Sequence, residues 1–187
     1  MPNINWGSVE AKRDGGFEQL PAGAYVCAIT NAEDNPERQY VMLTFDVMEG
    51  PKAEFFRNSQ YPPRMYLSYK EGALGITKGR LSAITADNPG FDAEAAFNAN
   101  QRLFVAKRCG VVFRAEEYVD RRTGEVRMGS PRPDRIVAVE DVRAGKVKAP
   151  GPKLLSDEDV ERLGGHRATA GVAAGVARDD LSDVPFL

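Results

Sequence analysis

A chain of 187 residues, 42% hydrophobic and 28% charged, is long enough to bury one core and too short for two sizeable domains. That composition excludes wholesale disorder, and the lack of any apolar run of about eighteen residues argues against a membrane span. The formal net charge of −2 hides an asymmetry, because residues 102–148 hold 12 Lys/Arg against 7 Asp/Glu while 151–187 hold 4 against 7.

The start, Met1-Pro2-Asn3-Ile4-Asn5-Trp6, has neither the basic residues nor the apolar stretch of a signal peptide, so a cytoplasmic protein is expected. After it, Gly15-Gly16-Phe17 and Pro21-Ala22-Gly23 punctuate the beginning of the folded part. Two runs rich in β-branched and aromatic residues follow, 24–30 and 40–48, and the loop 33–38 between them predicts an antiparallel hairpin. In the second run Val41, Leu43, Phe45 and Val47 alternate with Tyr40, Met42, Thr44 and Asp46, which gives one apolar face. A third extended stretch runs from Glu54 to Tyr69, broken by Pro62-Pro63.

The period then changes. Leu74, Thr77, Leu81 and Ile84 recur every three or four residues and predict a helix stopped by Asp87-Asn88-Pro89-Gly90, with a short helix over 92–98. Strand character returns at 103–105 and 109–118, turns at Asp120-Arg121-Arg122-Thr123-Gly124, and comes back through Val126 and 136–139. Three strands, a helix and two strands is the order of a mainly β, five-stranded OB-like barrel with the helix between strands three and four. Residues 1–150 are expected to form this domain and 151–187 a flexible tail. In the tail, Ser156-Asp157-Glu158-Asp159 caps a short helix, and the Gly/Ala/Val sequence from 164 to 178 has too little bulk to bury. Cys27 and Cys109 sit in strand-like runs without zinc-type spacing, which predicts reduced thiols in the core.

The closing residues Asp179-Asp180-Leu181-Ser182-Asp183-Val184-Pro185-Phe186-Leu187 resemble the tip of bacterial single-stranded-DNA-binding proteins, with Leu187 extending one residue past the phenylalanine. Separately, Leu20–Val26, Gly110–Tyr118 and Arg135–Gly145 resemble a phage and prophage family of small single-stranded-DNA-binding proteins over about 17–155. The resemblance implies an OB fold and a role in phage DNA replication or recombination.

Binding single strands without sequence preference needs cations that follow phosphates, interleaved with flat rings on which bases stack. The third stretch has that composition in Arg57, Tyr61, Arg64, Tyr66, Tyr69 and Lys70. Tyr66 and Tyr69 would point to opposite faces of a regular strand, so only one is expected to face DNA. Phe55 and Phe56 are read as core, and Trp6 as either edge cover or a stacking ring. Around the 120–124 turn, Arg121 and Arg122 are flanked by Lys107, Arg108, Arg114, Arg127 and Arg132, a second candidate surface. The solvated-face reading of these charges stands beside it.

For the tip, Asp179, Asp180, Asp183, Val184, Pro185, Phe186 and Leu187 combine carboxylates with apolar side chains, which suits a basic-rimmed apolar pocket on a replication or recombination protein. The single histidine, His166, falls in the Gly/Ala segment, and the phosphate-cradling motif of nucleotide hydrolases does not occur. The expectation is therefore a non-enzyme without cofactor or metal that coats single-stranded DNA, makes no membrane contact and has a barrel edge open to homo-oligomer formation. The competing expectation is an OB-fold protein–protein adaptor or assembly component that does not bind DNA.

Overall fold

The computed structural model describes residues 18–167. Its body is a five-stranded, nearly closed, OB-like barrel in the order β3-β2-β1-β4-β7, with β1 over Gly23–Asn35, β2 over Tyr40–Val47, β3 over Arg64–Ser68, β4 over Arg108–Arg114 and β7 over Arg132–Val137. The mainly β class and the helix between strands three and four are as the periodicities predict.

β1 makes the curvature. It pairs with β4 over 23–28 and with β2 over 27–35, and a bulge between Ile29 and Asn31 bends it from one partner toward the other. The alternation in β2 holds, since Val41, Leu43, Phe45 and Val47 all point inward and are buried. They meet Cys27, Ile29, Leu67, Val111, Phe113 and Ile136 in one core. Both cysteines are free and opposite each other in register, and burial pushes the Cys27 thiol up to about 12. Helix α1 (Leu74–Asp87) closes one end of the barrel with Thr77, Leu81 and Ile84, while Leu74 stays exposed. Helix α2 (Ala93–Ala99) follows, capped by the Asp92 side chain on the Ala95 N–H. At Gly110 there is no room for a side chain, because a Cβ there would lie 2.8 Å from the Val137 carbonyl oxygen of β7 and 2.7 Å from the Val142 side chain of helix α3 (Val139–Arg143).

Several local expectations are corrected. Residues 33–35 belong to β1, so the first hairpin turns over 36–39, with the Asn35 side chain accepting the Arg38 N–H. Residues 54–63 are turns, not strand: Asp46 accepts the Phe56 N–H at 2.8 Å and Glu54 donates to the Val47 carbonyl, which folds the segment back. Residues 101–104 form a 3-10 turn, with the Asn100 side chain taking the Arg102 N–H. The 109–118 run splits after Arg114, and Val139 starts α3, its N–H held by the Asp87 carboxylate at 3.0 and 3.1 Å.

Beyond that split, β5 (Glu117–Val119) and β6 (Val126–Met128) form a separate two-stranded hairpin. The ordered body continues past 150, where residues 153–167 run along one face of this hairpin as a strap. Lys153 exchanges backbone hydrogen bonds with Ala115 and Glu117, and His166 does so with Gly124 and Val126. Helix α4 (Asp157–Arg162) spans the strap and buries Val160. Arg167 closes it, donating to both Glu117 oxygens at 2.9 and 3.1 Å and to the Leu155 carbonyl. The Arg167 hydrogen bond holds the Glu117 carboxyl below its ordinary range. Among the described residues no helix is long and apolar enough to cross a membrane.

Candidate nucleic-acid interface

The edge strands β3 and β7 are not hydrogen-bonded to each other. Arg80, projecting from α1, bridges them: Nη1 donates to the Tyr66 carbonyl of β3 at 3.2 Å and Nη2 to the Asp134 carbonyl of β7 at 3.1 Å. Burial holds this guanidinium below its ordinary pKa, with the Asp134 charge acting the other way. An open groove of about 1210 Å³ adjoins this seam, lined on one side by Tyr61, Pro62, Pro63, Arg64 and Tyr66 and on the other by Ser130, Pro131, Arg132 and Pro133. Proline has no N–H to offer, so Pro62, Pro63, Pro131 and Pro133 blunt both edges against a further strand. The groove is left open to side-chain recognition.

Its rings are presented to solvent. Tyr66 pairs with Met42 in register, points off the outer face of the barrel and is 49% exposed. The Tyr40 ring meets it edge-on at 4.8 Å, which fixes its plane and leaves part of the ring free. Tyr61, in the loop before β3, is 84% exposed. Phe55 and Phe56 pack on the core as expected, with Phe56 stacked 6.2 Å from Phe113.

The remaining candidates divide by what already holds them. Tyr69 faces away from Tyr66, donates to Asp34 at 3.2 Å and lines a separate 260 Å³ pocket beside Phe97. Burial, then the Asp34 hydrogen bond, raises its pKa. Lys70 lies just after β3, outside the groove lining. The Lys107 ammonium sits 4.7 Å over the Phe91 ring, and Arg108 donates to the Asp87 carbonyl. Arg114 donates to the Gly151 carbonyl, and Arg57 is ion-paired with Glu54 at 2.6 Å. Arg127 is gripped by Glu125 at 2.7 Å and Asp120 at 3.3 Å, and the Glu125 bond raises its pKa.

Arg64 and Arg132 at the groove, and Arg121 and Arg122 at the hairpin tip, make no salt bridge among the described residues. Of the candidate arginines named from the sequence, these four are the ones whose guanidinia no group among the described residues holds. The tip turn is set by Asp120, which accepts the Arg122 N–H through its side chain and the Gly124 N–H through its carbonyl. Gly124 occupies the left-handed region there, at φ 74°.

Three features were not among the sequence candidates. Arg80 lies on the polar side of a helix stripe, where nothing in the sequence marks the seam it spans. The strap joins the hairpin through backbone bonds, which leave no side-chain pattern. Tyr118, within a run read as plain strand, is 47% exposed on the hairpin. Among the described residues no three His, Cys, Asp or Glu side chains gather as a metal site. Trp6 and the tip residues Asp179, Asp180, Asp183, Val184, Pro185, Phe186 and Leu187 lie outside the described residues. No protein-family model matches the chain, and no curated protein matches it either.

Proposed function

We propose that the chain binds single-stranded DNA along the β3–β7 groove, without catalysis, as a phage-type replication or recombination protein of a bacterial cytoplasm. The observation that carries this reading is the convergence of two exposed rings, Tyr61 and Tyr66, with two unpaired guanidinia, Arg64 and Arg132, on one open groove of an OB-like barrel. Bases stack on the rings while the guanidinia hold phosphates, a pairing that tolerates any sequence because every base has a π-face. Duplex DNA buries those faces and meets only the charges. In the same reading the acidic tip, through Phe186 and Asp179, Asp180 and Asp183, takes up replication or recombination proteins.

Fluorescence anisotropy with labelled oligothymidine of about 20–30 nucleotides tests it. Affinity should exceed that for duplex of equal length, and log K against log salt should slope at about −1.4 if Arg64 and Arg132 at the groove each hold one phosphate, and at about −2.8 if Arg121 and Arg122 at the hairpin tip do so as well, at about −0.7 per contact. Equal affinity for duplex would overturn the stacking groove. No affinity for either at low salt would give the barrel to the adaptor reading.

A further inference from the structure

The groove does not end at Arg132. Its wall continues backward along the chain through Pro131 and Ser130 to Gly129, which joins the barrel to the β5–β6 hairpin. At Gly129 a Cβ would lie 3.5 Å from the Tyr118 ring, so that ring lies alongside the connecting backbone. From Arg132 to Gly129 the chain spans at most about 10 Å, at 3.3–3.6 Å per residue.

The hairpin has two faces, and the strap decides which one is free. Glu117 is held by Arg167 and by the Leu155 N–H, and Val119 lies against Gly165, where a Cβ would come within 2.6 Å of it. Tyr118 sits between them in β5 and therefore points the other way, opposite Arg127 of β6. On that face Arg127 is set against both Asp120 and Glu125, and with Arg121 and Arg122 at the tip the balance is a single positive charge.

We infer that Tyr118 is a further stacking platform, and that the nucleic-acid track runs from Tyr66 past Arg132 onto the strap-free face of the hairpin. This rests on the reading of the groove proposed above and extends it to a bipartite site. The occupant is again a single strand, because an exposed ring near the tip guanidinia of Arg121 and Arg122 matches a base near its phosphates, and because one residue, Gly129, separates the hairpin from Ser130 of the groove wall. The side chains around Tyr118 bring little net positive charge of their own, so its contribution is stacking and is nearly independent of salt.

The test compares full-length wild type with Tyr118→Ala, Tyr118→Phe and Tyr66→Ala on oligothymidine of about 20 nucleotides, with melting curves for each. Tyr118→Ala should lose about 5- to 140-fold in affinity, the range of one base stack, with an unchanged salt slope, and Tyr118→Phe should keep wild-type affinity. Ultraviolet crosslinking of the wild type to a 5-bromouracil-substituted strand of that length should attach at Tyr118 as well as in the groove, and it reads the contact even if a variant melts early. Wild-type affinity in Tyr118→Ala, or crosslinks confined to Tyr61 and Tyr66, would overturn the inference while leaving the groove in place. A wild type with no affinity for the strand would instead remove the groove reading and this one with it.

Discussion

Replacing Arg80 should loosen the barrel and its groove together. In the native state its guanidinium supplies two charge-assisted hydrogen bonds across a seam that has no backbone pairing of its own, at 3.2 Å to β3 and 3.1 Å to β7. Hydrogen bonds to charged groups contribute about 1.5–3 kcal/mol each, and the half-buried setting of Arg80 places the pair toward the low end, at about 3–4 kcal/mol together. Arg80→Met keeps much of the apolar stem and deletes both bonds. At about 2–4 °C per kcal/mol for a chain of this size, the melting temperature should fall by roughly 5–15 °C. Arg80→Lys, whose ammonium is a single point rather than a fork, reaches one carbonyl and should lose about half as much. One of the two bonds ends on the carbonyl of Tyr66 itself, so oligothymidine affinity measured well below the melting transition should also drop in Arg80→Met. Urea unfolding followed by circular dichroism, with anisotropy on the same samples, reads both quantities. A variant within about 0.5 kcal/mol of wild type and with unchanged affinity would refute the bridging role.

Arg64→Ala with Arg132→Ala should flatten the salt slope by about 1.4, at about 0.7 per phosphate, whereas Arg127→Ala should change it little because that guanidinium is already neutralised by Glu125 and Asp120. Ending the chain after residue 167 should leave strand affinity intact, while ending it after 150 removes the strap, unseats the hairpin and should weaken binding; equal affinities in the two truncations would show the strap to be idle. The buried thiols make stability pH-dependent: with the Cys27 pKa raised to about 12 in the folded state against about 8.5 unfolded, its stabilising contribution is complete below about pH 8.5 and is lost as pH rises toward 12, at up to about 1.4 kcal/mol per unit, and burial raises the Cys109 thiol in the same direction. Urea midpoints across pH 8–11 should therefore fall more steeply in wild type than in a Cys27→Ala, Cys109→Ala double variant.

The barrel was readable because its signals are local and periodic. Val41, Leu43, Phe45 and Val47 alternate because one face of β2 is buried, and Thr77, Leu81 and Ile84 recur at helical spacing because one stripe of α1 plugs the barrel. The errors fall where a side chain replaces a backbone partner. Residues 54–63 have strand composition, yet the Asp46 carboxylate takes the Phe56 N–H and folds them into turns. Leu103, Phe104 and Val105 look like a strand, yet the Asn100 side chain starts a 3-10 turn that still buries Phe104. Composition also does not reveal which face of a short hairpin another segment will cover. Tyr118 was for that reason indistinguishable from a core tyrosine until the strap was seen to lie against Glu117 and Val119. Tyr66 and Tyr69 show the opposite case, since their odd spacing alone required that they part, and they do.

For a chain of net charge −2 to bind a polyanion, as proposed, its charges must be unequal in availability rather than in number. The groove rim illustrates how this is arranged. Glu18 and Glu54 both line it and would repel phosphate, but Glu18 is paired with Lys52 and Glu54 with Arg57. Each such pair presents a dipole, whose field falls off faster than that of a single charge and is nearly gone at a Debye length of about 8–10 Å. Arg64 and Arg132, with no carboxylate paired to them among the described residues, keep the longer-ranged field of a single charge. Arg57 thus belongs to the site in a different sense from the one its position in the sequence implied. In the proposed binding mode it would screen the strand from Glu54, and its own guanidinium has little left to offer a phosphate.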